Sequence, residues 1–348
     1  MPTTYAIPDG RTVMAATLYT GTGATQTINN SANGVSFQPD FVWIKSRSNA
    51  LSHKLTNSVV GIQLALSSDS TAAESSDTGG VTAFNSNGFT IGTTLAYNTN
   101  AATFVGWQWN AGGSTVTNTS GTISAQVRAN TTAGFSVVTY TGTGANATVG
   151  HGLGVAPSMV IVKRRDTTAN WEVRHTSIAV ASSIQLNLTN ASASATTVWN
   201  STAPSSTVFS IGTSATVNAS SGTYVAYCFA AVAGYSAFGS YTGNNSADGP
   251  FVYLGFRPRW IMFKDSSSVA VWMIMDTARN TINVLDDGLA PNNSNAESTY
   301  SNVAQVDFLS NGFKIRATNA NQYWANVSGN TYIYAAFAEN PFKYANAR

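Results

Sequence analysis

The stretch Pro157-Ser-Met-Val-Ile-Val-Lys163 decides the reading of the fold, because its outline recurs as Pro39-Asp-Phe-Val-Trp-Ile-Lys45 and Pro258-Arg-Trp-Ile-Met-Phe-Lys264. Proline has no N–H to give a sheet ladder and sits at a strand's entrance. The dense apolar run behind it, mostly branched or aromatic, reads as a deeply buried strand that ends on lysine. Both faces of such a strand are apolar, whereas an ordinary sandwich strand turns one face to water. The outer face therefore meets a covering loop, another copy of the unit or another subunit, the last of which predicts a homo-oligomer, with a trimer favoured.

Working outward, the same landmarks flank each copy. Upstream lie Tyr19-Thr20-Gly21, Tyr140-Thr141-Gly142 and Tyr241-Thr242-Gly243. Downstream come Phe89/Ile91, Phe209/Ile211 and Phe313/Ile315, twice introduced by a hairpin-forming Asn-Gly (Asn87-Gly88, Asn311-Gly312). Each copy closes on an aromatic run: Phe104 to Trp109, Tyr224 to Phe229 and Tyr332 to Phe337. A further strand matches Leu51-Ser-His-Lys-Leu55 with Trp171-Glu-Val-Arg-His175 and Trp272-Met-Ile-Met-Asp276. The lysines lie about a hundred residues apart, so the repeat is domain-sized. No long segment of helical period occurs.

These patterns predict an all-β chain of three tandem antiparallel β-sandwich modules, jelly-roll-like. Residues 1–13 read as an extended N-terminal arm, 14–113 as module one, 114–133 as linker and edge strand, 134–233 as module two and 234–348 as module three.

Composition narrows the function. Charged residues make up 9% of the 348, against about 25% in ordinary soluble chains, so hydroxyls and amides solvate the surface. The formal net charge of +2 comes without a basic stripe, which argues against a nucleic-acid partner. A single cysteine, Cys228, leaves stability to packing. No signal peptide and no 18-residue apolar span is visible, so no membrane insertion is expected.

Catalytic chemistry is not signalled. Three histidines, His53, His151 and His175, show no metal-ligand spacing, and no cofactor motif is found. The carboxylates Asp69, Glu74 and Asp77, with Asp286, Asp287 and Glu297, read as turn-stabilising. Glu74 and Glu297 align within Ala-Glu-Ser, where the middle copy has Ala195-Thr196-Thr197. Among 8 Trp, 14 Tyr and 16 Phe, most lie on the matched strands and read as core. Those in variable loops, Trp199, Tyr235, Tyr300, Tyr323 and Trp324, are the glycan-binding candidates. Asn200, Gln322 and Asn326 are their amide neighbours.

Phe41 to Arg47, the Asn-Gly-Phe-x-Ile turn-strand, Phe104 to Gly113 and Tyr334 to Lys343 together resemble a repeated β domain of structural proteins from tailed bacteriophages, especially aquatic ones. The resemblance implies a non-enzymatic virion protein, made in the host cytoplasm: a tail fibre or receptor-binding appendage attached to a host surface glycan. The alternative is a capsid decoration or collar/tail structural protein docking on other virion proteins.

Overall fold

The computed structural model describes residues 5–31, 34–300, 305–318 and 325–341. It is nearly all-β, with only single-turn helices such as Thr196–Trp199. One antiparallel strand order recurs three times. In spatial order, Met14–Thr20, Thr103–Trp109, Phe41–Ser46 and Lys54–Asn57 form the first four-strand block. Phe135–Thr141, Thr223–Phe229, Met159–Arg164 and Glu172–His175 form the second. Ser236–Thr242, Thr331–Pro341, Phe256–Asp265 and Trp272–Asp276 form the third. A smaller outer sheet completes each sandwich, built around Gly88–Ile91, Val208–Ile211 or Gly312–Ile315.

The segment expected as linker plus one edge strand supplies two strands, Val116–Asn118 and Ala125–Asn130, which extend the second main sheet. Where Asn-Gly is present, the outer sheet has the hairpin: Val81–Asn85 with Gly88–Ile91, and Val306–Leu309 with Gly312–Ile315. The middle unit lacks the Asn-Gly. There the helix Thr196–Trp199 packs beside the outer strand, and the Gly212 N–H donates to the Val198 carbonyl.

The Tyr-Thr-Gly landmark has a physical cause. Tyr19, Tyr140 and Tyr241 stack at about 5 Å on Phe104, Tyr224 and Tyr332, nearly parallel. Each tyrosine hydroxyl donates at 2.8 Å to the carbonyl of Tyr97, Val217 or Ala325. The next residue in each case is a fully buried asparagine, Asn98, Asn218 or Asn326. Its side-chain oxygen accepts from the backbone of Thr22, Thr143 or Asn244, and its amide donates to two or more carbonyls. The glycine is needed for close approach: a Cβ on Gly142 would stand 2.3 Å from the Ala219 carbonyl oxygen.

The outer faces of the main sheets meet each other. One continuous core holds Phe41, Trp43 and Trp109 of the first unit, Met159, Ile161 and Phe229 of the second, and Trp260, Met262 and Phe337 of the third. Trp109, Phe229 and Phe337 occupy the same register position, opposite Phe41, Met159 and Trp260. Their rings form a triangle with sides of 6.3, 5.8 and 5.8 Å, all edge-to-face. The void left among these side chains is about 10 Å³, too small to favour a water in an apolar setting. The second copy that double-faced strands require is thus supplied within the chain. The N-terminal arm also stays at home: Ile7 is buried, and Gly10 and Tyr5 pack against Ala338 and Gly234 of the third unit.

A shared core makes the three sandwiches one cooperative body. Calorimetry should record a single unfolding transition. Phe229→Ala should lower stability by about 3–5 kcal/mol without splitting that transition; three resolved transitions would contradict the shared core.

Candidate functional site

The candidate glycan-binding rings that lie among the described residues do not gather. Trp199 closes a helical turn with its ring inside the second sandwich, and Tyr235 packs on Phe337; both are 1% exposed and have no face for a sugar. Tyr300 is partly buried beside the central core, its ring against Gly288. Tyr323, Trp324 and Gln322 lie outside the described residues. Asn200 closes the helical turn in the left-handed region, φ 49°, and Asn326 is one of the buried clamps.

Many of the buried ionisable groups serve the junctions between units. The three repeat lysines are fully buried. The Lys163 Nζ donates to Arg164 and, across to the first unit, Thr71. The Lys264 Nζ donates to Asp265, Ser268 and, across to the second unit, Thr189. The Lys45 Nζ donates to Ser46 and Asn49. Burial pushes each amine down to about 8.

Two residues beyond each lysine, Arg165 grips Glu74 of the first unit and Arg47 grips Glu297 of the third, both through forked bonds. At the remaining junction the arginine position is Ser266, and its carbonyl accepts from the backbone and hydroxyl of Ser192. The counterpart of Glu74 and Glu297 is therefore Ser192, not the Ala195-Thr196-Thr197 expected, and these two carboxylates join units instead of stabilising turns. Both ends of the third junction are uncharged, so no charge is stranded there.

The strand after the lysine shows the same compensation. Strand pairing places His53, not Leu51, at the position of Trp171 and Trp272, correcting the sequence match by two residues. Each donates a ring N–H to a carbonyl of a neighbouring unit: His53 to Ala290, Trp171 to Ser67, Trp272 to Gln185. The Trp43 indole donates to His53 Nδ1, which fixes the proton on Nε2. His175 and His151 have the same pattern, Nδ1 accepting a backbone N–H and Nε2 facing a carbonyl. Desolvation holds His53 well below the usual imidazole range and His175 at about 4. These imidazoles are neutral and fully engaged. No group of three or more His, Cys, Asp or Glu that could hold a metal occurs among the described residues.

What faces solvent is different. On the edge strand Phe251–Tyr253 of the third outer sheet, Val252 points inward while Phe251 and Tyr253 are 46% and 68% exposed. Across from Phe251 lies Lys314, which pairs with Asp248; Arg316 pairs with Asp307. The matching positions in the other outer sheets are Thr27 and Asn29, and Thr148 and Gly150. Two copies of this sheet form without rings or charges there, so packing does not demand them in the third. Phe251, Val252 and Tyr253 alternate out, in and out, as a strand with one face to solvent does.

Residues 9–341 match a domain of unknown function (DUF7483), and the chain belongs to that family. No curated protein matches it.

The buried lysines fix a pH dependence. Their folded pKa of about 8 lies below the unfolded 10.5, so the unfolded chain binds more protons between those values and stability rises with pH there. Buried Tyr19, Tyr140 and Tyr241 are raised well above 10, so stability falls again once unfolded tyrosines ionise. The unfolding free energy from urea titrations should climb from pH 7 to about 9.5, by about 2 kcal/mol per lysine, then drop. A flat profile over that interval would refute the assignment.

Proposed function

We propose that this chain is a non-enzymatic attachment protein of a tailed-bacteriophage particle, of the tail-fibre or receptor-binding kind, whose third unit presents Phe251 and Tyr253 to a host surface glycan. The phage setting rests on the sequence resemblance. The observation that carries the binding reading is the pair of exposed rings on a sheet whose two counterparts fold with Thr, Asn and Gly in their place. Alternate residues of one strand stand about 7 Å apart on one side, so both rings stand on the same solvent-facing side, at a spacing that suits successive sugars. Lys314, Asp248 and Arg316 lie beside them as donors and acceptors for hydroxyls. The engagement of the histidines and of Glu74 and Glu297 in structural contacts supports binding over catalysis.

The apolar strand faces that suggested a homotrimer, or docking on other virion proteins as a decoration or collar element, are covered inside the chain. They give no ground for a second copy, and attachment is left to the outer surface.

The test uses the recombinant chain and purified host surface polysaccharide. Phe251→Thr with Tyr253→Asn installs the side chains of the first unit. It should leave the melting temperature unchanged and weaken binding at least tenfold. Undiminished binding, or none by the unaltered protein, refutes the glycan reading. Antibody labelling of particles should mark the tail; label spread over the capsid would point to decoration.

A further inference from the structure

Arg174 stands apart from the other arginines. Arg11, Arg47, Arg128, Arg164, Arg165, Arg257, Arg259, Arg279 and Arg316 each pair with a carboxylate. Among the described residues, Arg174 is the one arginine that forms no ion pair, although it is only 5% exposed. Its Nη1 donates to the carbonyls of His175 and Ile178. Its Nε is buried with no acceptor. Glu172, two residues away on the same strand, accepts from Ser183 and Gln185 instead.

A buried guanidinium with no counter-charge and an unused N–H edge costs free energy that an anion would recover. Burial alone holds its pKa below the ordinary arginine value. The fold does not call for the charge. The same register position is Thr56 in the first unit, opposite Val42, and Met275 in the third, opposite Ile261.

Arg174 also lines a pocket of about 140 Å³, with Pro157, Ser158, Thr176 and Pro204 among the other lining residues. Two prolines hold the walls stiffly, so little ordering is lost on binding. The volume is several times the roughly 30 Å³ share of one water, enough for a planar or tetrahedral oxyanion. A guanidinium with two hydroxyl-bearing residues in the same lining supplies donors of the kind such a group needs.

We propose that the Arg174 pocket of the second unit is a binding site for an oxyanion, a carboxylate or sulfate group carried by a larger ligand such as an acidic sugar. The inference is independent of the aromatic face of the third unit, which it neither uses nor requires.

Titration calorimetry of the full chain, at constant ionic strength in sodium chloride, would use sodium glucuronate, sodium sulfate and uncharged glucose as probes. Saturable one-site binding of at least one anion is expected, with none for glucose. Glucuronate alone would identify a carboxylate ligand, and sulfate alone a sulfated one. Arg174→Met, which installs the third unit's residue, should weaken binding at least tenfold while sedimentation and circular dichroism stay unchanged. Should that variant fail to fold, Arg174→Lys keeps the charge but loses the fork, and is expected to bind several-fold more weakly. No saturable binding by the unaltered chain, equal binding of glucose, or full affinity in a folded variant would overturn the proposal.

Discussion

The constraint on which the structure depends is that three lysine-terminated strands are apolar on both faces. A two-layer sandwich covers only one of them, and in this chain the other is covered by the matching strands of the neighbouring units. The Trp109, Phe229 and Phe337 triangle is where this closes, each ring resting edge-on against the other two. Contacts around it run head to tail, second unit onto first, third onto second and first onto third. Such heterologous contacts form a closed ring when the rotation allows it. The first and third units meet without a connecting segment, and there a charged side-chain network ties them. Arg279 bonds both Asp276 and Glu297, Glu297 also takes Arg47, and the Trp107 indole donates to Asp276. The N-terminal arm laid on the third unit adds to the same closure.

Much of this was legible in the sequence because repetition amplifies weak signals. One Tyr-Thr-Gly means little, but three in register mark a site where a ring, a hydroxyl and a Cβ-free backbone are all required. The Asn-Gly pairs located hairpins, and their absence from the middle unit went with the absence of the hairpin. The failures have physical causes as well. Apolar similarity set Leu51 against Trp171, yet the shared property at that position is a ring N–H aimed at a neighbouring carbonyl, which histidine supplies and leucine does not. Trp199 and Tyr235 looked like surface rings because they lie between matched strands, but those connections fold down over cores. Phe251 and Tyr253 were not singled out, because alternation is invisible when every residue of a short run is apolar. The asparagine clamps are hard to read from the sequence, because each joins a carbonyl six to nine residues upstream to backbone some seventy to eighty residues away.

Three copies on one chain also permit what three identical chains would not: each copy can change alone. Many of the differences are matched by a second difference across a junction. Arginine faces glutamate twice and serine faces serine once. Asn57 donates to the Tyr227 hydroxyl and Asp276 accepts from the Trp107 indole. At the third such contact the residue at that register position is Ala335, and His175 reaches the neighbouring Tyr334 carbonyl instead. Such pairs keep buried polar groups satisfied and are explained by folding alone. The aromatic pair on the third outer sheet and the unpaired arginine of the second unit have no compensating partner, while their counterparts in the other units show that the scaffold stands without them. A side chain that the fold neither needs nor balances, held in place against desolvation cost or solvent exposure, is best accounted for by something outside the chain that it meets.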